Sequence, residues 1–117
     1  MQQLNTTQIQ AAMQHDAAFE GVFAIDMLPK NIVGAGGLVK LVANLDPHYL
    51  RGSHWVAVVI RNGHRAYYFD SLGQPPPPLM QEWLMKHATA GYVWNSRVIQ
   101  TDNVTCGYYV VSFLKLL

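Results

Sequence analysis

The sequence predicts a single α+β domain, and three observations predict it. Residues 53–60 and 65–70 are two runs rich in β-branched and aromatic residues around an Asn62-Gly63 turn signal, which is the pattern of a β-hairpin. Apolar residues at helical spacing follow two cap candidates near the start and a run of four prolines at 75–78. Half of the 117 residues are hydrophobic and 13% are charged, the balance of a chain that buries one modest core.

The elements follow in order. Thr6 and Thr7 are candidate N-caps for a helix to about residue 18, with Ile9, Ala12, Met13 and Ala17 as its apolar stripe. Pro29 and Gly34-Ala35-Gly36-Gly37 mark turns or a loop. That cluster is not a dinucleotide fingerprint, because Gly34 and Gly36 would require a glycine where Val39 stands. A strand is expected over 38–45, with a turn at Asp46-Pro47, and then come the two hairpin strands. Gly73 and the prolines end the sheet region; the prolines read as a stiff spacer entering a helix over 79–89 rather than as a polyproline ligand. Trp83, Leu84 and His87 share one face of that helix, and Gly91 stops it. Residues 92–100 alternate as a further strand. The last segment is ambiguous: 108–113 has strand propensity, whereas Asn103 or Thr105 before it and Lys115 near its end suit a capped helix. No repeat or second-domain boundary appears, so residues 1–117 are expected to form one domain.

Charge excludes some functions from the argument. Eight basic residues face seven acidic ones, for a formal charge of +1, and no Lys or Arg run concentrates it. Neither nucleic acid nor an anionic membrane has an electrostatic footprint to bind. The polar N-terminus lacks the pattern of a signal peptide. The longest apolar stretch, 108–117, contains Ser112 and Lys115 and falls short of the roughly 18 residues that cross a bilayer. A soluble intracellular protein is expected. The single cysteine fits a reducing compartment and forbids a disulfide within the chain, which leaves Cys106 as either a buried structural thiol or a reactive one.

Chemistry is carried by three pieces in the order His, Asp, Gln, Cys. His54-Trp55 opens one strand, Phe69-Asp70-Ser71 closes the next, and Gln100 stands six residues before Cys106-Gly107. Each is ordinary alone; together they supply every part of a thiol acyl-transfer site. The Cys106 thiolate attacks, the His54 imidazole holds and returns the proton, and the Asp70 carboxylate fixes the imidazole tautomer. Gln100 offers its side-chain N–H to the developing oxyanion beside the Cys106 backbone N–H.

These residues resemble the adenovirus-protease and ubiquitin-like-protease superfamily of cysteine peptidases, with the adenovirus-type branch nearer. The matching blocks are Gly52-Ser53-His54-Trp55-Val56-Ala57, Tyr68-Phe69-Asp70-Ser71-Leu72-Gly73, and Gln100 with Thr105-Cys106-Gly107-Tyr108-Tyr109. Lead-in segments at 19–29 and 44–47 extend the likeness to most of the chain. The resemblance implies a small mixed sheet carrying the His and Asp, packed against a central C-terminal helix that carries the cysteine and begins near Thr105. It implies a peptidase cutting at small, glycine-containing sites, with polypeptide substrates such as viral precursor proteins; no cofactor or metal is expected, and any activating partner is unknown. A viral enzyme would work in the infected-cell cytoplasm or nucleus, or in the virion. Trp55, Asn44, Asp46 and Gly107 are candidate substrate-binding residues; Trp55 beside the base would shield the His54–Cys106 pair from water and reads equally as a core aromatic, while Asn44 and Asp46 read more readily as turn formers. The chain departs from the adenovirus enzyme in stopping eleven residues past Cys106 and in having no second cysteine to bind an activating peptide. Thr105 stands where the ubiquitin-like branch commonly has Asp.

The triad makes a demand on the hairpin. Side chains alternate along strands, so His54 and Asp70 meet only if the pairing register has the right parity. A two-residue Asn62-Gly63 turn pairing Arg61 with His64 would send them to opposite faces. A three-residue loop Arg61-Asn62-Gly63, pairing Ile60 with His64, sets His54 opposite Asp70, as does a bulge of the same parity; Gly63 suits its left-handed position.

The other histidines, His15, His48, His64 and His87, have no metal-ligand spacing, and Ser53 and Ser71 lack the surroundings of a nucleophile. Competing functions are an isopeptidase removing ubiquitin or a ubiquitin-like modifier, an acetyltransferase using the same triad, and a binding module on a protease-like fold. A pure binder has no need of all four site residues.

Overall fold

The computed structural model describes residues 4–46, 54–96 and 106–117. Its elements are α1 (Thr6–Met13), β1 (Phe19–Ala24), β2 (Leu38–Asn44), β3 (Trp55–Arg61), β4 (Arg65–Phe69), α2 (Pro78–His87), β5 (Tyr92–Trp94) and α3 (Cys106–Lys115). The strands form one sheet in chain order, β1-β2-β3-β4-β5. The two outer pairings are parallel and the two inner ones antiparallel. The mixed α+β class expected from the sequence is the class observed.

Local chemistry explains where the boundaries differ. Asn5, not Thr6 or Thr7, caps α1: its Oδ1 accepts the Gln8 N–H at 2.8 Å, and Gln8 Oε1 accepts the Asn5 N–H at 2.9 Å. This reciprocal box satisfies two otherwise orphaned donors, and the threonines fall into the first turn. The helix stops at Met13 rather than near residue 18 because Asp16 takes over the backbone. Its Oδ1 accepts the Ala18 N–H at 3.0 Å, and its carbonyl accepts the Phe19 N–H. β1 has no counterpart in the sequence reading: it is half-buried along its whole length and breaks register at Gly21, where φ is 141°, so it shows neither alternation nor a continuous apolar run. β5 covers three residues rather than the expected 92–100, and residues 97–100 lie outside the described ones.

The hairpin loop is one residue further along than expected. Arg61 pairs with Arg65, not Ile60 with His64. Both Asn62 (φ 54°) and Gly63 (φ 62°) take the left-handed conformation, the His64 N–H closes on the Arg61 carbonyl at 2.9 Å, and His64 is the additional loop residue. The parity is nevertheless the one that the His54–Asp70 pairing needs.

The sheet separates two apolar layers. One face packs Leu41, Ala43, Val56, Val58, Ile60, Ala66 and Tyr68 against Met80, Trp83 and Leu84 of α2. The proline run ends as a helix entry, with Pro77 at the cap and Pro78 in the first turn. The other face packs Val42, Trp55, Ala57, Val59 and Phe69 against Ile9 and Met13 of α1 and Cys106, Val110 and Leu114 of α3. Phe113 of α3 stacks on Phe69 with ring centroids 4.5 Å apart. The ambiguous last segment is therefore helical, because its period-3.6 apolar stripe finds a sheet face to cover. A buried ammonium anchors this layer: Lys40 Nζ on β2 donates to Asp16 Oδ2 at 2.6 Å and to the Leu114 and Leu117 carbonyls at 3.0 Å. A cation at a helix C-terminus satisfies carbonyls that the helix cannot.

Candidate active site

Because β3 and β4 are antiparallel, the residue before one and the residue after the other lie at the same end of the sheet. These are His54 and Asp70. α3, which packs on the Trp55 and Phe69 face, starts at that same end with Cys106 as its first residue, so three distant stretches of chain converge there.

The His54 Nε2–H donates to Asp70 Oδ1 at 2.6 Å. Both side chains are withdrawn from solvent, at 14% and 2% exposure, so water does little to screen the pair. The same carboxylate oxygen accepts the Leu72 N–H at 2.8 Å. His54 also hydrogen-bonds the Cys106 sulfur. Burial disfavours charge on both His54 and Cys106, yet each shifts toward its charged form. Burial would lower the His54 pKa, but the bonds to Asp70 and Cys106 outweigh it and raise the value from 6.5 to about 9. Burial would raise the Cys106 thiol, but His54, the Trp55 N–H donating to Sγ at 3.4 Å, and the Gly107 N–H bring it below its ordinary value. Cys106 is thus both buried and paired with a ring nitrogen, where the sequence left buried and reactive as alternatives.

Of the four expected catalytic residues, the structure brings together Cys106, His54 and Asp70; Gln100 lies outside the described residues, as does Thr105. Trp55 is buried, its indole N–H donates to the Leu4 carbonyl at 3.0 Å, and its ring lies against Gly107. A Cβ on Gly107 would stand 2.9 Å from Leu4 Cβ and 3.2 Å from Trp55 Cδ1, so the absent side chain lets α3 seat closely. Asn44 pairs with Trp55 across the ladder, and its Oδ1 accepts the Asp46 N–H at 2.9 Å, a turn-forming bond. Its buried Nδ2 has no hydrogen-bond partner among the described residues.

Asn95 was missed from the sequence. Its Oδ1 accepts the Asp70 N–H at 2.8 Å and its Nδ2 donates to the Asp70 carbonyl at 2.6 Å. An Asn between Trp94 and Ser96 reads as a turn former, and only the fold reveals what it faces. Leu4 and Lys40 carried no signal either. Among the described residues no group of three or more His, Cys, Asp or Glu side chains could hold a metal, and no helix is long and apolar enough to cross a membrane.

Comparison with known proteins agrees with this fold. The model of the Ulp1 protease family, C-terminal catalytic domain, matches residues 44–117. A crystal structure of the ASFV pS273R protease aligns over 99% of this chain and 59% of that one, at 17% identity and a TM-score of 0.64. A selenomethionine structure of the same protease aligns over 69% of this chain and 36% of that one, at 24% identity and a TM-score of 0.48. The central domain of the Lpg1148 protein from Legionella pneumophila aligns over 97% and 73% of the two chains, at 10% identity and a TM-score of 0.61. The chain therefore spans between about a third and three-fifths of the ASFV protease chains. Comparison with curated protein sequences finds no match.

Proposed function

Because the chain belongs to the Ulp1 protease family, we propose that it is a cysteine peptidase with Cys106 as nucleophile, His54 as acid–base, Asp70 as the orienting carboxylate and Gln100 in the oxyanion hole. One observation carries the reading: a single imidazole touches both the carboxylate and the sulfur, and both partners favour its charged form. With Nε2 given to Asp70, Nδ1 is left for the thiol proton. The thiolate attacks the scissile carbonyl carbon, forming the C–S bond and moving an electron pair to oxygen. The oxyanion is received by the Cys106 backbone N–H and the Gln100 side chain. Collapse breaks the C–N bond, and His54 gives its proton to the departing amine. Neutral His54 then takes a proton from water, which cleaves the thioester and restores the thiolate.

The substrate is a polypeptide, cut at small, glycine-containing positions, with precursor proteins as the class of target. Asn44, Asp46, Trp55 and Gly107 border the groove, with Trp55 and Gly107 as its buried floor. The family's own name, that of the Ulp1 protease, favours a second reading, removal of ubiquitin or a ubiquitin-like modifier by the same site. Wild type and Cys106→Ala compared on a peptide library test the chemistry: cleavage is expected from wild type and a loss of roughly 10⁴-fold or more from the variant. Cleavage surviving in Cys106→Ala, or absent from wild type, would overturn it. Labelling by a ubiquitin-like electrophilic probe but not by a short glycine-ending probe would select the second reading.

A further inference from the structure

We propose that Asn95 is a positioning residue that sets Asp70 against His54 and acts through the Asp70 main chain. The inference rests on the reading of Cys106, His54 and Asp70 given above.

The two strands that end at this site stop together. β4 ends at Phe69 and β5 at Trp94, and their last ladder pair is Tyr68 with Trp94. One residue further along, backbone pairing gives way to a side chain: Asn95 meets both the N–H and the carbonyl of Asp70. A carboxamide suits this, because it carries donor and acceptor on separate atoms, whereas a carboxylate lacks the donor, an ammonium lacks the acceptor, and a hydroxyl must do both from one oxygen. Asn has the carboxamide on a short stem, with little rotamer freedom to lose. The Asp70 carbonyl also accepts the Gly73 N–H at 2.8 Å, so three hydrogen bonds hold its main chain.

That clamp determines where the carboxylate sits. Asp70 Oδ1 serves two donors, His54 Nε2–H and the Leu72 N–H. The Leu72 bond spans only two residues and turns with the chain, so it cannot by itself fix the carboxylate relative to β3. Asn95, the residue that follows β5, ties Asp70 to the neighbouring chain at the end of the sheet. Without it, the Gly73 and Leu72 bonds that hold the chain after β4 are local to that turn, Oδ1 can turn away from the ring with it, and a misplacement of about 1 Å suffices to weaken a catalytic hydrogen bond severely.

Because Cys106 is the sole cysteine, its ionisation can be read directly. Thiolate ultraviolet absorbance is followed against pH for wild type, Asn95→Ala, Asp70→Ala and the double variant, each relative to Cys106→Ala, with thermal melting in parallel. Wild type is expected to hold its thiolate below the ordinary thiol range. Asn95→Ala should move the transition up by about one pH unit, roughly tenfold less thiolate below it. The double variant should titrate like Asp70→Ala alone, since a residue acting through Asp70 has nothing left to position. Lower melting with an unmoved titration would make Asn95 merely structural, and a further shift in the double variant would place its action elsewhere; either overturns the proposal. An ordinary thiol in wild type would instead defeat the reading of the site itself, and the inference with it. Should Asn95→Ala fail to fold, Asn95→Ser, whose hydroxyl can replace one of the two bonds, should show an intermediate shift, and no shift would refute the proposal.

Discussion

The two faces of the sheet are covered by helices in different ways. Toward α2 the contacts are almost wholly apolar, with the Tyr68 hydroxyl buried and unpartnered among the described residues. Burial and the Asp70 charge push that phenol well above its ordinary range. Toward α3 the layer is threaded with polar groups: Lys40 and Asp16, Asn44, and the Cys106 sulfur within reach of His54. One face contributes cohesion by excluding water. The other uses the same exclusion to strengthen a few charges, and each must be partnered.

If that division is right, damage to one face should leave the other's property intact. The largest expected effect is from Leu84→Ala on α2, fully buried in the apolar layer. It should lower unfolding free energy by about 2–5 kcal/mol in denaturant titrations, with the Cys106 titration unmoved. Gly107→Ala, on the opposite face, should cost about 1–3 kcal/mol by overpacking. The Trp55 ring, tied to the Leu4 carbonyl, cannot retreat. Unlike Leu84→Ala, it should also disturb the thiol titration.

The pH dependence of the charged face has a definite sign. His54 rises from 6.5 to about 9 on folding, so its contribution to stability is fully present below pH 6.5 and fades as pH climbs through about 9. Cys106, lowered from 9.0, contributes in the opposite sense: its share is present above 9.0 and fades as pH falls through the depressed folded value. Cleavage should fall about tenfold per unit above about pH 9, as His54 loses the proton owed to the leaving amine. A kcat/KM profile that stays level past that point would contradict the assignment. The smallest effect should come from Asn5→Ala, which removes half of the α1 capping box. About 1 kcal/mol should be lost in thermal or denaturant unfolding, with no change at Cys106.

How much of this was legible in the sequence varies with the range of the interaction involved. The hairpin could be read because β-branched runs and Asn62-Gly63 act within a few residues. Its parity survived even though the loop shifted by one, since a shift of the pairing sum by two leaves every side chain on its face. His54, Asp70 and Cys106 were legible as ordered blocks, and the meeting of the first two follows from antiparallel strands ending together. β1 was hidden because parallel edge pairing with half-burial leaves no periodic trace. The Asn5 cap lost to its threonine neighbours because the choice depends on which residue's box closes in three dimensions. Asn95 and Lys40 were illegible for a deeper reason: each serves groups far along the chain, Asp70 and the end of α3, and no local pattern encodes such a partner.

The order of the sheet has one more consequence. Each strand's neighbour precedes or follows it directly in the chain, and all five come before α3. During synthesis from the N-terminus, all five strands, with His54 and Asp70 at their ends, are therefore made before Cys106. Until α3 docks, the chain carries an unremarkable thiol with no imidazole beside it. On the reading proposed for Cys106, the order of the chain would itself keep the thiol quiet until α3 seats beside His54.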